Sequence, residues 1–447
     1  MPNSVLFIVI DCLRADHVSA YGYDRKTTPN IDELTKKGVI ARRAITQSTY
    51  TVASAASMLT SVYPEVHGAI GFHDRLSDYP VTLPQYLSER GFDTACFEGM
   101  CAFSGPQKLE RGFKTVYSFE PEKQRRGLLR ASADEICSRF IDYIGRNESR
   151  NSPFFALLWF AEAHDPLFVP EEHRRYYRQS DGGISRIDQY DSAIRYVDYY
   201  IGEILEALDA KGLLDGTLIA ITADHGEVFD EHYWLEGKPV ADLLCKFPIL
   251  GVRRLLSRNG FLDHLGIPPY EGVINVPLII KFPRDRYKGV TLGLVELIDL
   301  FPTTLDSLNL DMARDLMQIQ GKSIVPDLEG NLEGKRVAFT YTKPYHNGAA
   351  FTGVTNDEFK FVKSFPPNTS LKNISANPKV FIANRMWDLE RLFKVGTSEK
   401  RDFGKECPED LQALKRELLV WREKNATLRE KLRLSKAVSR IRGRLRE

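Results

Sequence analysis

Asp224-His225-Gly226 is the triplet of this chain with the most chemistry in it. It closes the apolar run Leu218-Ile219-Ala220-Ile221-Thr222, which is too short and too tightly bounded for a helix and reads as a buried strand. Open α/β sheets build their active sites at the carboxyl ends of such strands. An adjacent carboxylate and imidazole offer hard oxygen and nitrogen to one divalent cation; a plain polar turn is the alternative. A second carboxylate, Asp11, closes the run Val5-Leu6-Phe7-Ile8-Val9-Ile10, and neighbouring strand ends of one parallel sheet can converge on a single site. Between them, Ser48-Thr49-Tyr50-Thr51-Val52-Ala53-Ser54 presents hydroxyls just ahead of a helical pattern. A hydroxyl on a cation at a helix N-terminus can become an alkoxide nucleophile, because cation and helix end both favour the negative charge. The same amides can hold a phosphate- or sulfate-type oxyanion. Hydroxyls placed there also serve simply as helix caps.

The elements that must position these groups alternate along the chain. Strand-like runs at Val5–Ile10, Thr94–Glu98, Phe154–Phe160, Leu218–Thr222 and Val276–Lys281 are separated by helical patterns. Those patterns cover Ile31–Lys37, with Asn30 as N-cap, and Ala53–Leu59, Leu83–Arg90, Ala131–Arg146 and Ile187–Leu213. The alternation predicts an α/β fold: a large, mostly parallel sheet with helices on both faces. The character changes near Gly334. Arg336–Thr342, Ala349–Val354, Phe359–Phe365 and Lys379–Trp387 read as short strands of a small antiparallel sheet, followed by a helix over Pro408–Lys424. The expected division is a catalytic α/β unit over 1–334, a small C-terminal α+β subdomain over 335–420, and a basic helical tail over 421–447.

Bulk properties exclude several classes. A net charge of +1 argues against a nucleic-acid binder. That balance hides a tail, 421–447, with ten Lys/Arg against three Asp/Glu, so the other 420 residues sum to −6. A basic helix of this kind suits peripheral contact with an anionic membrane or a polyanion; a solvated or oligomer-forming helix is the plain reading. No secretion signal or spanning helix is legible, and six scattered cysteines read as reduced, so the expected location is cytoplasmic.

Val9-Ile10-Asp11-Cys12-Leu13-Arg14-Ala15-Asp16-His17 with Thr28-Pro29-Asn30, and then Leu59-Thr60-Ser61-Val62-Tyr63-Pro64, resemble the first two blocks of the sulfatase family of the alkaline phosphatase superfamily. Ala163-His164-Asp165-Pro166, Thr222–Glu227, Tyr270-Glu271 and Trp387-Asp388-Leu389-Glu390 resemble later ones. The family implies a large mixed α/β domain, a smaller C-terminal sheet, and one divalent cation under a covalent nucleophile. By position in these blocks, Thr51 takes the nucleophile's place, and Asp11, Thr51, Asp224 and His225 become the metal ligands. His264 matches the residue near the leaving group, as general acid or oxyanion partner, and His164 one that contacts the transferred group. His67 reads as structural. Arg14 is open between a site carboxylate, a substrate oxyanion and a surface salt bridge.

The departures carry as much information. Sulfatases convert a Cys or Ser in a Cys/Ser-X-Pro-Ser-Arg block to formylglycine. Here Thr51 stands at that position, with Ala53 for Pro and Ala55 for Arg. A secondary alcohol does not give formylglycine, and Thr nucleophiles are typical of superfamily relatives acting on phosphate esters. Cys12 occupies the place of a second metal-binding Asp; as a thiolate it would favour Zn²⁺. The four-ligand set suits Mn²⁺, Zn²⁺, Ca²⁺ or Mg²⁺.

The function implied is metal-dependent hydrolysis of a small-molecule, lipid or sugar sulfate or phosphate ester through an intermediate on Thr51. The alternatives are phosphoryl transfer to a lipid or sugar headgroup and non-catalytic anion binding. The apolar stretch 232–263 reads as core filler, or as the wall of an apolar pocket beside the site.

Overall fold

The computed structural model describes residues 3–444, apart from 72–73, 100–102, 104, 119–130, 148–151, 165–168, 178–184, 230–233, 236–237, 240–267, 312–315, 317, 332–335, 344–349, 366–389, 398 and 400; for 147, 234–235, 238–239 and 436–444 it describes the backbone only. Strands β1 (Ser4–Ile10), β2 (Val39–Ile45), β3 (Asp93–Glu98), β4 (Thr115–Tyr117), β5 (Phe154–Phe160), β6 (Thr217–Thr222), β7 (Asn275–Val276), β8 (Leu278–Lys281) and β9 (Val290–Glu296) form one sheet. Its order is β9-β2-β8-β6-β1-β5-β3-β4, with β7 on β2. All pairs are parallel except those made by β7 and β8. Every residue of β1, β5 and β6 is buried, which is why these strands are continuous apolar runs rather than alternating ones.

Register places the chemistry. Val9 pairs with Thr222, and each lies two residues before an aspartate, so Asp11 and Asp224 leave the sheet level with one another. β2 delivers the chain to a loop that enters helix α2 (Thr51–Thr60) on the same edge, with α1 (Pro29–Thr35) preceding β2. Two helices, α3 (Ala133–Asn147) and α4 (Arg186–Ala210), pack on each other.

Some boundaries differ from the pattern-based expectation. Asn30 does not cap α1: Thr28 is at the N-cap, Pro29 opens the helix, and Asn30 donates to Asp198 on α4. Pro277 lacks an N–H and splits the expected Val276–Lys281 strand into β7 and β8. The small antiparallel sheet runs β10 (Ala338–Thr342), β11 (Ala350–Thr355), β12 (Phe359–Phe365) and β13 (Glu390–Lys394). Lys379–Trp387, the expected fourth strand, lies outside the described residues. Helix α5 runs unbroken from Pro408 to Arg444, and Trp421 stacks on Phe339 with ring centroids 5.1 Å apart. Asn425 is buried and its Oδ1 accepts from Gln320 Nε2 at 2.7 Å. Among the described residues no helix is long and apolar enough to cross a membrane.

The small sheet is joined to the large one through acids. Glu296, at the end of β9, accepts from Tyr63 Oη at 3.0 Å and from the Phe339 amide at 2.9 Å. Arg336 bridges Asp299 and Asp327 at 2.7 and 2.8 Å. Burial, and then the Asp299 charge, push the Glu296 carboxyl up to about 8. A raised carboxyl favours the folded state below its ordinary range and loses that contribution as pH rises towards 8. Chemical denaturation at pH 5 and pH 8 is expected to show a smaller loss of stability in Glu296→Gln than in the unsubstituted protein.

Candidate active site

Asp11 is fully buried at the end of β1 and accepts from Trp159 Nε1 of β5 at 3.1 Å. Asp224 is fully buried at the end of β6, and its Oδ1 accepts from the Cys12 amide at 3.1 Å. Its Oδ2 is buried, accepts no hydrogen bond among the described residues, and lies 3.2 Å from His225 Nε2. The Gly226 carbonyl, 2.9 Å from His225 Nδ1, can only accept. That assigns the ring proton to Nδ1 and leaves the Nε2 lone pair facing inward. Thr51 Oγ1 stands 3.2 Å from this Nε2.

Several hydroxyls around Thr51 are engaged elsewhere. Thr46 Oγ1 and Ser54 Oγ both donate to the Asp224 carbonyl, the latter at 2.7 Å. Thr49 Oγ1 pairs with Thr342 Oγ1 of β10 at 2.9 Å. Thr51, the first residue of α2, faces the Asp–His pair, and the N-cap residue Tyr50 makes no side-chain cap hydrogen bond to that helix end. The small sheet braces the loop that carries Thr51: Thr340 Oγ1 donates to Thr46 O, and the Tyr341 amide to Gln47 O.

Glycine at position 226 has a steric reason. A Cβ there would lie 2.0 Å from the Gly272 carbonyl oxygen, while the Gly226 amide donates to Val273 O at 2.7 Å. The Asp-His-Gly triplet thus packs backbone on backbone, and this holds His225 at the strand end.

Three potential ligand atoms of two types meet here. Asp11, Asp224 and His225 place a carboxylate oxygen, a carboxylate oxygen and a ring nitrogen within 4.8 Å of one another. Burial, followed by the Asp11 charge, pushes the Asp224 carboxyl well above the ordinary carboxylate range. For His225, burial opposes the charged ring, yet Asp224 and Asp11 outweigh it and raise the pKa. Carboxylates this close and this dry call for positive charge between them. With Nδ1 tied to a backbone carbonyl and Nε2 aimed at the carboxylates, the residues fit a divalent cation.

The remaining expected residues divide. His164 is half-buried, and its ring lies within 4.8 Å of the ligating atoms of Asp11 and Cys12. His264 lies outside the described residues, as does most of 232–263; of that stretch only a two-residue pairing, Trp234–Leu235 with Lys238–Pro239, is described. His67 is structural: the Ala69 amide donates to its Nδ1, Ser57 Oγ lies 3.0 Å from its Nε2, and burial holds it down to about 3. Arg14 forms a salt bridge to Asp16 at 2.7 Å and lies over the Phe229 ring. Two site residues escaped the sequence reading. Trp159 sits in an apolar strand, where its one signal is an indole N–H that must find a partner when buried. Tyr190 donates to Cys12 O at 2.7 Å and accepts from the Arg14 amide at 2.9 Å, pinning the loop after β1. Trp159→Phe keeps the packing and removes the donor to Asp11. Titration calorimetry with Mn²⁺ is expected to show affinity about 10–100-fold weaker, as for other outer-shell partners.

The sulfatase family model matches residues 3–310. The chain belongs to the sulfatase family. An arylsulfatase of Clostridium perfringens is 22% identical over 411 residues, spanning 73% of this chain and 79% of that protein. Among solved structures, Ps i-CgsB in complex with k-i-k-neocarrahexaose superposes with a TM-score of 0.68 at 18% identity, covering 98% of this chain and 99% of that one. The phosphonate monoester hydrolase of Agrobacterium radiobacter gives 0.67 at 21% identity, with 96% of each chain covered. As a member of this family the protein is a hydrolase acting on ester bonds.

Proposed function

We propose that this sulfatase-family protein hydrolyses a phosphate or sulfate ester through a covalent intermediate on Thr51. The observation that carries the reading is the placement of Thr51 Oγ1, first residue of α2, 3.2 Å from His225 Nε2 and beside the buried carboxylate pair. A divalent cation held by Asp11, Asp224, His225 and Thr51 would supply Lewis acidity, lowering the pKa of the Thr51 hydroxyl. Thr51 loses its proton to solvent, and its oxygen attacks phosphorus or sulfur as the ester oxygen departs. The amides at the start of α2 face the developing charge on the transferred group. His164 contacts that group, and His264 protonates the leaving alcohol. Water then attacks the Thr51 ester, the bond to Thr51 oxygen breaks, and the hydroxyl is restored.

Between the two esters, Thr51 and Ala55 favour phosphate, since the formylglycine route is closed to a secondary alcohol. The structural relative bound to a carrageenan oligosaccharide supports a sugar as the alcohol part. Parallel assays with aryl phosphate and aryl sulfate esters test the preference: faster phosphate cleavage is expected, and much faster sulfate cleavage overturns it. Mass spectrometry after acid quench is expected to find the added phosphoryl or sulfuryl group on the peptide holding Thr51.

A further inference from the structure

We propose a second cation subsite, formed by Asp11, Cys12 and His164 and suited to Zn²⁺, next to the Asp11–Asp224–His225 site. It rests on the reading of that first cluster as a cation site. A carboxylate oxygen of Asp11, the Cys12 sulfur and a ring nitrogen of His164 lie within 4.8 Å of one another. Asp11 belongs to both clusters, so one carboxylate can bridge two ions.

The sulfur does not stand with the first set. Cys12 Sγ is 3.7 Å from His225 Nδ1, whereas Thr51 Oγ1 and Asp224 Oδ2 lie at Nε2, on the other edge of the ring. The backbone beneath it is unusual as well. Cys12 adopts φ of 64°, in the left-handed region that a side chain with Cβ rarely occupies. Both of its backbone groups are engaged, the amide by Asp224 and the carbonyl by Tyr190, so the strained conformation is held from two sides. The thiol lies along the Asp11–His164 side of the site. Carboxylate, thiol and imidazole in one cluster form a three-ligand set of the kind that keeps Zn²⁺ with an open fourth position. Binding releases the thiol proton to solvent as the sulfur–metal bond forms. An ion there would add positive charge beside His164, where the transferred oxyanion is contacted in the proposed reaction.

Cobalt(II) is the probe, because thiolate ligation gives a strong near-ultraviolet charge-transfer band. The full chain is stripped with chelator, titrated with Co²⁺, and followed by metal analysis and absorption. Two ions per chain and the band are expected. Cys12→Ser should keep one ion and lose the band, and Asp224→Asn should keep the band with one ion. His164→Ala, which leaves the strained position untouched, should weaken the band-forming ion about tenfold or more. One ion per chain with no band, alike in the unsubstituted protein and in Cys12→Ser, overturns the second subsite. A band with one ion that Asp224→Asn leaves unchanged supports the thiolate subsite and instead removes the first-site reading.

Discussion

Thr51→Ala is expected to abolish turnover while the protein still binds its cation. The substitution removes one oxygen from the first turn of α2 and leaves Asp11, Asp224 and His225 in place. Removal of a hydroxyl nucleophile costs on the order of 10⁶-fold in kcat where the residues act as one unit. Alanine has the better helix propensity, so the fold should be retained. Thr51→Ser restores an oxygen at the same position and should recover measurable activity. Steady-state kinetics with an aryl phosphate ester, alongside metal analysis of each variant, gives both readouts. Full activity in Thr51→Ala would remove the covalent step from Thr51. Lost activity together with lost metal would make Thr51 chiefly a ligand.

Asp224→Asn is expected to move function and stability in opposite directions. With the cation absent, Asp224 and Asp11 are two fully buried acids in one site, and burial plus their mutual repulsion disfavours the charged forms. An amide of the same shape relieves that repulsion. Its oxygen can still accept from the Cys12 amide, as Asp224 Oδ1 does at 3.1 Å. In chelator at neutral pH, the variant should therefore melt above the unsubstituted protein. With excess Mn²⁺ the order should reverse, because a ligand that binds only the folded state stabilises it in proportion to affinity. Loss of a direct ligand should weaken binding by more than the roughly 10–100-fold that an outer-shell partner costs. Thermal melts with and without metal decide it. A variant less stable in both conditions would show that Asp224 carries no uncompensated charge in the metal-free site.

Much of the scaffold was legible in the chain because the central strands have both faces covered. Val5–Ile10, Phe154–Phe160 and Leu218–Thr222 have to be apolar throughout, and that pattern is unambiguous. The strands that escaped are those whose burial depends on partners far away in sequence. β2 contains Arg42 and Arg43, and Arg43 is buried there because Glu271 and the Asn356 carbonyl meet its guanidinium. β9 alternates around Gly293 near the sheet edge, and β4 has only three residues. Helix α5 joins the expected Pro408–Lys424 helix and the expected helical tail in one run, and Trp421 at their junction packs on Phe339 and Tyr63.

For the site, residue type and position at strand ends offered Asp11, Asp224 and His225 as candidates for a cation, with a plain polar turn as the alternative, and the family resemblance favoured the first. The resemblance to a known family singled out Thr51 from a run of hydroxyls. Tertiary structure adds where these oxygens go: Thr46, Thr49 and Ser54 bond to backbone or to a neighbouring strand, while Thr51 Oγ1 lies 3.2 Å from His225 Nε2. Sheet register brought Asp11 level with Asp224 from 213 positions away. Cys12, with φ of 64°, places its sulfur 3.7 Å from His225 Nδ1, a placement that no sequence pattern marks. Local pattern records what a side chain can do, but distance and direction between side chains arise only when distant strands pair.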